Sequence, residues 1–247
     1  MRLINRFLAT VAAALLLAAP SLADYFFFST GDPDGRLGAG VRVQTDTQIE
    51  IEAADDFILD RETILWHASF RGLLPLASDL SDIQTVVVEI YRIFPLDSDT
   101  EREIQVPTRM NSPSDNAFTE RESFEGELIF DVTLVNPGSG VSNSVVDGIA
   151  VGTGGDGPAA GQDVQIDVYF EFPLNLPSGH YFFVPQVGLA SGGRFLWLSA
   201  PHPQFTGDLQ MWIRNSNLDP DWLRVGTDII GGTTFNGSFT LEGQTIP

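Results

Sequence analysis

From Glu127 to Val135 every second side chain is apolar, with Leu128, Phe130, Val132 and Leu134 on one face and Glu127, Asp131 and Thr133 on the other. Val164 to Phe172 does the same, with Val164, Ile166, Val168, Phe170 and Phe172 opposed to Gln165, Asp167 and Glu171. A period of two over nine residues belongs to a half-buried β-strand, because successive side chains on an extended backbone point to opposite sides. Thr85–Phe94 is β-branched and aromatic and reads as a third strand. Further strands are expected at Tyr25–Ser29, Gln48–Glu52, Ile64–Phe70, Tyr181–Val187, Arg194–Ser199, Leu209–Ile213 and Phe235–Leu241.

Turn chemistry separates these runs: Gly31-Asp32-Pro33-Asp34-Gly35, Asn136-Pro137-Gly138, Gly152 to Gly161, Pro177-Ser178-Gly179 and Ser191-Gly192-Gly193. No 12-residue amphipathic helix interrupts them. Many short strands joined by Gly and Pro turns imply an all-β fold, a β-sandwich of jelly-roll or Greek-key type, in which two sheets bury each other's apolar faces. Asp97–Phe124 and Gly138–Gly161 read as long loops. One domain over residues 24–247 is expected, with Gly152–Gly161 as the place where it would divide if it did.

The N-terminus has the three parts of a secretory signal. Arg2 and Arg6 form a positive region, Phe7–Ala19 an apolar one, and Ser21-Leu22-Ala23 supplies small residues for cleavage before Asp24. Residues 1–23 are therefore expected to be a signal peptide, and the product to be secreted or extracellular, or else periplasmic. The apolar run is shorter than the ~20 residues that span a bilayer. No second run follows, so no membrane span is expected in the mature chain.

The 247-residue chain carries 13 basic and 33 acidic residues, a net charge of −20, and loss of the leader takes it to −22. Such a surface repels nucleic acid and anionic lipid. There is no cysteine, which excludes disulfides, a lipid-bearing cysteine, thiol nucleophiles and Cys-ligated zinc.

Catalytic signatures are missing. No G-x-S-x-G elbow occurs, and His67, His180 and His202 form neither H-x-H nor H-E-x-x-H. His67 lies in an apolar strand and reads as a packed or rim histidine. The acids are too numerous for any pair of them to single out a glycosidase. Asp-x-Asp recurs at Asp32/Asp34, Asp97/Asp99 and Asp219/Asp221; calcium takes several oxygens from such turns, and Asp32 with Asp34 is the first choice for a bound ion. The same pattern also serves ordinary turns, with the carboxylate capping backbone amides.

Aromatic residues suggest a sugar. Trp212 and Trp222 flank the polar stretch Arg214–Asp221, and with His180 and His202 they are the expected ligand-binding residues, stacking on pyranose rings and reading hydroxyls. Trp197 and Trp66 fall in apolar runs and are expected in the core. Asn236-Gly237-Ser238 matches a glycosylation sequon, but Asn-Gly there reads better as a turn or bulge.

Ile49–Phe57, Val88–Arg92, Val106–Asp115, Gly179–Val187, Phe195–Pro201 and Leu218–Asp228 together resemble a group of exported bacterial proteins, many of which carry a C-terminal PEP-CTERM sorting signal. The resemblance covers most of the chain after the leader. It implies a bacterial source and an exported β-rich fold, and it assigns no catalytic residue. The Pro-Glu-Pro motif, apolar helix and basic end of that signal do not occur before Pro247.

These observations lead to three expectations. The first is a non-enzymatic β-sandwich that binds extracellular polysaccharide or cell-envelope material. The second is a jelly-roll enzyme acting on glycans through paired carboxylates. The third is a structural matrix or surface protein.

Overall fold

A computed structural model describes residues 23–99, 101, 110–201, 210–218 and 221–247. Residues 1–22 of the expected leader, 1–23, lie outside them, as do Leu209, His202 and Asp219. Among the described residues the strands are β1 (Tyr25–Ser29), β2 (Leu37–Gly40), β3 (Ile51–Leu59), β4 (Thr63–Leu74), β5 (Ile83–Arg92), β6 (Thr119–Glu122), β7 (Leu128–Val141), β8 (Asn143–Val145), β9 (Ala159–Leu176), β10 (Gly179–Leu189), β11 (Leu196–Ala200), β12 (Trp212–Asn215), β13 (Leu223–Arg224), β14 (Asn236–Gly237) and β15 (Phe239–Thr245). Among the described residues helical structure is confined to single turns at Leu80–Asp82 and Val225–Ile230.

The strands form two sheets. In the first, β9 pairs along the length of β4, while β15 and then β11 share the other edge of β4; β7 extends the sheet beyond β9, and β1 beyond β15. The second runs β13-β12-β3-β10-β5-β6. The chain crosses between sheets from β2 to β3, β3 to β4, β4 to β5, β6 to β7, β9 to β10, β10 to β11, β11 to β12 and β13 to β14. Four strands in the order β2-β11-β4-β9 thus face four in the order β3-β10-β5-β6, the double Greek key of a jelly roll. The expected all-β sandwich is what the chain forms.

The core explains why the sheets stay together. Phe183 of the second sheet stacks on Phe239 of the first at 5.0 Å and meets Phe70 and Trp197 edge-on at 6.2 and 6.0 Å. Such offset and edge-on pairs add to the area they bury. Trp197 is fully buried, and its indole N–H donates to the Ser238 carbonyl at 3.0 Å, so its polar atom is satisfied.

Three local readings need correction. Asn136-Pro137-Gly138 is no turn: β7 continues through it with register shifts after Leu134 and Asn136, a bulge that leaves Pro137 without a ladder partner to satisfy. The loop expected at Gly138–Gly161 is shorter, since Ser139–Val141 pairs with Ala159–Gly161 and β8 lies between. Strand β3 starts at Ile51 and runs on through Ala53-Ala54-Asp55-Asp56, residues of low strand propensity that burial between β10 and β12 holds extended.

Candidate glycan-binding face and the polar network behind it

The outer face of β1-β15-β4-β9-β7 carries functional side chains in rows set by register. Phe27 stands opposite Glu242, Glu242 opposite His67, His67 opposite Tyr169 and Tyr169 opposite Ile129. The next row is Ser29, Thr240, Ser69, Asp167 and Asp131, and β4, β9 and β7 add Arg71, Gln165 and Thr133. Strand parity dictates this, because Phe26, Phe28, Val168 and Phe170 face the core and their neighbours must face away.

Several aromatic rings on this face are open. Tyr25 is 63% exposed, Phe27 57% and Tyr169 43%. Tyr25 lies 6.5 Å from Trp66, and Tyr169 lies 4.8 Å from the His67 imidazole. A bulge between Leu65 and His67 breaks the alternation of β4 just there, and both Trp66 and His67 are half-buried at the surface rather than in the core. From β1 to β9 is three strand spacings, roughly 14 Å, so rings and polar groups cover a strip rather than a point.

Polar partners steady the rings. Tyr25 donates to Glu242 Oε2 at 2.6 Å, and this bond raises the phenol pKa, keeping it a donor. His67 Nδ1 is 3.3 Å from Glu242 Oε1, and its Nε2 is 3.5 Å from Asp167 Oδ1. Gln165 Nε2 donates to both Asp167 oxygens at 3.0 Å. A hollow of about 200 Å³ adjoins the strip, lined by Ser29, Asp32, Ser69, Arg71, Gln165 and Thr240 among others. Arg71 is held there by a bidentate bond to Asp163, at 3.0 and 2.6 Å.

The residues expected to bind a ligand lie elsewhere. Trp212 and Trp222 are each 3% exposed and pack with Tyr91, Phe182 and Val184 against the outer face of the second sheet. Neither offers a ring face to a sugar, which corrects the reading of them as loop aromatics. His180 is half-buried, stacked on Phe182 and bonded through Nε2 to Asp56 Oδ2 at 2.5 Å. Burial raises the Asp56 carboxyl pKa, and His180 partly offsets this. The sheet brings Trp212, Trp222 and His180 to one face but not to one opening.

The Asp32–Asp34 turn is likewise not arranged around an ion. Asp34 Oδ1 accepts from the Arg36 amide at 3.0 Å and from Ser199 Oγ at 2.6 Å, while exposed Asp32 lies 3.8 Å from Arg71 Nη1. Asp97 pairs with Arg92, and Asp99 accepts from the Glu101 amide at 2.9 Å. Among the described residues no three His, Asp or Glu side chains are grouped to hold a metal. Asn236 is fully buried in β14, so the sequon cannot accept a glycan in the folded chain.

What Trp222 does instead is close a network. Arg214 donates from Nε and Nη2 to Glu52 at 2.5 and 3.0 Å and from Nη2 to Tyr91 Oη at 3.0 Å; Tyr91 donates to Glu52 at 2.8 Å. The guanidinium lies 4.4 Å over the Trp222 ring. Burial opposes the Arg214 charge, but Glu52, Tyr91 and Asp221 outweigh it and hold the group charged. Arg214 Nη1 donates to the Asp115 carbonyl at 3.1 Å, and Trp222 Nε1 to the Ser114 carbonyl at 3.0 Å, so the network fastens the stretch after Asn111 onto the sheet. Beside it, burial and then Glu52 and Glu50 push the Glu89 carboxyl well above the usual range, and Gln186 donates to Glu89 at 2.8 Å.

No protein-family model, no curated protein and no solved structure matches this chain. Among the described residues no helix is long and apolar enough to cross a membrane.

Proposed function

We propose that the chain is an exported, non-enzymatic jelly-roll module that binds extracellular polysaccharide or cell-envelope glycan across the outer face of β1-β15-β4-β9-β7. The observation that carries this reading is the row Phe27, His67 and Tyr169, two open rings with a mostly covered imidazole between them, flanked in register by carboxylates, hydroxyls and an amide. Ring faces stack on the apolar faces of pyranoses, while the flanking acceptors take the equatorial hydroxyls. An extended strip suits a polymer better than a small molecule, which needs a concave pocket. Export rests on the leader-like residues 1–23.

Depletion of the protein from solution by a panel of insoluble polysaccharides tests the reading. Retention on at least one polymer, lost when Tyr169 is changed to Ala, is expected; no Tyr169-dependent retention on any polymer overturns it.

A glycan-cleaving enzyme is the second reading, favoured by one observation. Glu50 and Glu89 are half-buried on the outer face of the second sheet, both with raised carboxyl pKa values, beside a Glu52 bonded to Arg214. Carboxyls of unequal protonation are what acid–base cleavage uses. Release of reducing ends that disappears in Glu89→Gln would favour it, and none from any polymer the protein retains would remove it.

A further inference from the structure

The five strands β1, β15, β4, β9 and β7 contain five carboxylates, Asp131, Asp163, Asp167, Glu171 and Glu242, against one guanidinium, Arg71, and one imidazole, His67. All five acids fall at outward positions by parity. Arg71 is fully engaged by Asp163. The strip between the open rings therefore keeps its negative charge.

Asp131 and Asp167 concentrate it. They stand directly opposite each other on β7 and β9, where like charges destabilise a sheet. Asp167 has Gln165 and His67 beside it, but Asp131 is exposed and carries no hydrogen bond or ion pair among the described residues. Opposed residues in a ladder have Cβ atoms about 5 Å apart, which leaves room for one ammonium to reach both carboxylates. Tyr169 and Ile129, one step along the same two strands, supply the ring and apolar surface next to that point.

We infer that the polymer this face takes is one of amino sugars with free ammonium groups, not a uronate polymer, with a neutral glycan in second place. The inference rests on the glycan-binding reading above. A ring stacked over Tyr169 would present its ammonium to the Asp131–Asp167 pair, where its three N–H donors meet an Asp131 carboxylate with no side-chain partner among the described residues and, beside it, the Asp167 carboxylate that Gln165 and His67 already flank. Anionic polymers would meet like charge in the same place.

The test compares retention on chitosan, chitin and cellulose and binding of alginate, using the protein, Tyr169→Ala and Asp131→Asn/Asp167→Asn, with melting temperature as the control for folding. Retention on chitosan at least tenfold above cellulose, no binding of alginate, and loss of the chitosan advantage in Asp131→Asn/Asp167→Asn are expected. Tyr169→Ala leaves the net charge unchanged, so it must also lose chitosan. If chitosan is retained regardless of Tyr169, bulk attraction to an acidic protein explains it and the inference fails. Tyr169-dependent retention with no chitosan advantage, or with the advantage intact when both aspartates are neutral, overturns the amino-sugar inference and leaves the glycan reading standing. Absence of Tyr169-dependent retention on every polymer overturns both.

Discussion

The His67 imidazole lies 4.8 Å from the Tyr169 ring, with Asp167 against one of its nitrogens and Glu242 against the other. Three strands thus fix the orientation of one aromatic face. If that orientation matters for stacking, His67→Ala should weaken polymer retention about tenfold, roughly 1.4 kcal/mol, although His67 itself is mostly covered. His67→Phe keeps the ring without the polar anchors and should fall between. Depletion isotherms on the best polymer measure both; wild-type affinity in His67→Ala would show that Tyr169 needs no support.

Removing Arg214 should be costly. Its loss leaves Glu52 buried with only Tyr91 to answer it, and stranding one member of a buried ion pair costs about 3–5 kcal/mol. Arg214→Met should lower the urea midpoint accordingly, and Glu52→Gln/Arg214→Met should recover part of the loss because residue 52 then carries no buried charge for Arg214 to answer. A single change that leaves the midpoint in place would mean the network is dispensable.

Asp55 sets a pH dependence. It is 0% exposed; Oδ2 accepts from the Gly237 amide at 2.9 Å, while Oδ1 has no hydrogen-bond partner among the described residues. Burial, and then Asp56, raise its carboxyl pKa well above the ordinary 3.8. The folded chain therefore keeps a proton here that the unfolded chain releases above about pH 4. This contribution to stability is complete below that pH and is lost as pH rises through the folded value. Asp55→Asn carries no such proton, so its melting temperature should gain on wild type as pH is raised from 4 to 8. Parallel curves for the two proteins would rule this out.

Gly237 admits no side chain. A Cβ there would come within 2.1 Å of Trp197 Cζ2 and 2.4 Å of Cε2. Gly237→Ala must displace a fully buried indole, and overpacking of this kind costs about 1–3 kcal/mol. A drop in melting temperature with a shift in tryptophan emission is expected; an unchanged spectrum would mean β14 moves instead.

The fold was legible because β5, β7, β9 and β10 carry period-two or β-branched patterns that few other structures could bury. The middle of β3 was not, since Ala53-Ala54-Asp55-Asp56 is held extended by its neighbours and not by its own propensity. The candidate face was half legible. Tyr25–Ser29 read as a strand, and Tyr169 sits at a polar-face position of a strand whose alternation was plain, which marks it as an aromatic residue facing outward. Trp212 and Trp222 misled for the converse reason. Their flanking polar stretch suggested an exposed loop, but Arg214 and Asp221 are buried, and only the fold reveals that charges can be interior when they meet Glu52.

The edge pairing of β1 with β15 has a consequence for assembly. Asp24 and Thr245 are joined across 221 residues, and β1 has β15 as its sheet neighbour. A chain that emerges vectorially, from a ribosome or through a membrane pore, presents its first strand long before that strand's partner exists. Until Phe239–Thr245 arrives, the edge of β4 that β15 covers is also vacant. Contacts this distant in sequence form slowly. The topology itself thus delays closure of the sandwich until nearly all of the chain has appeared.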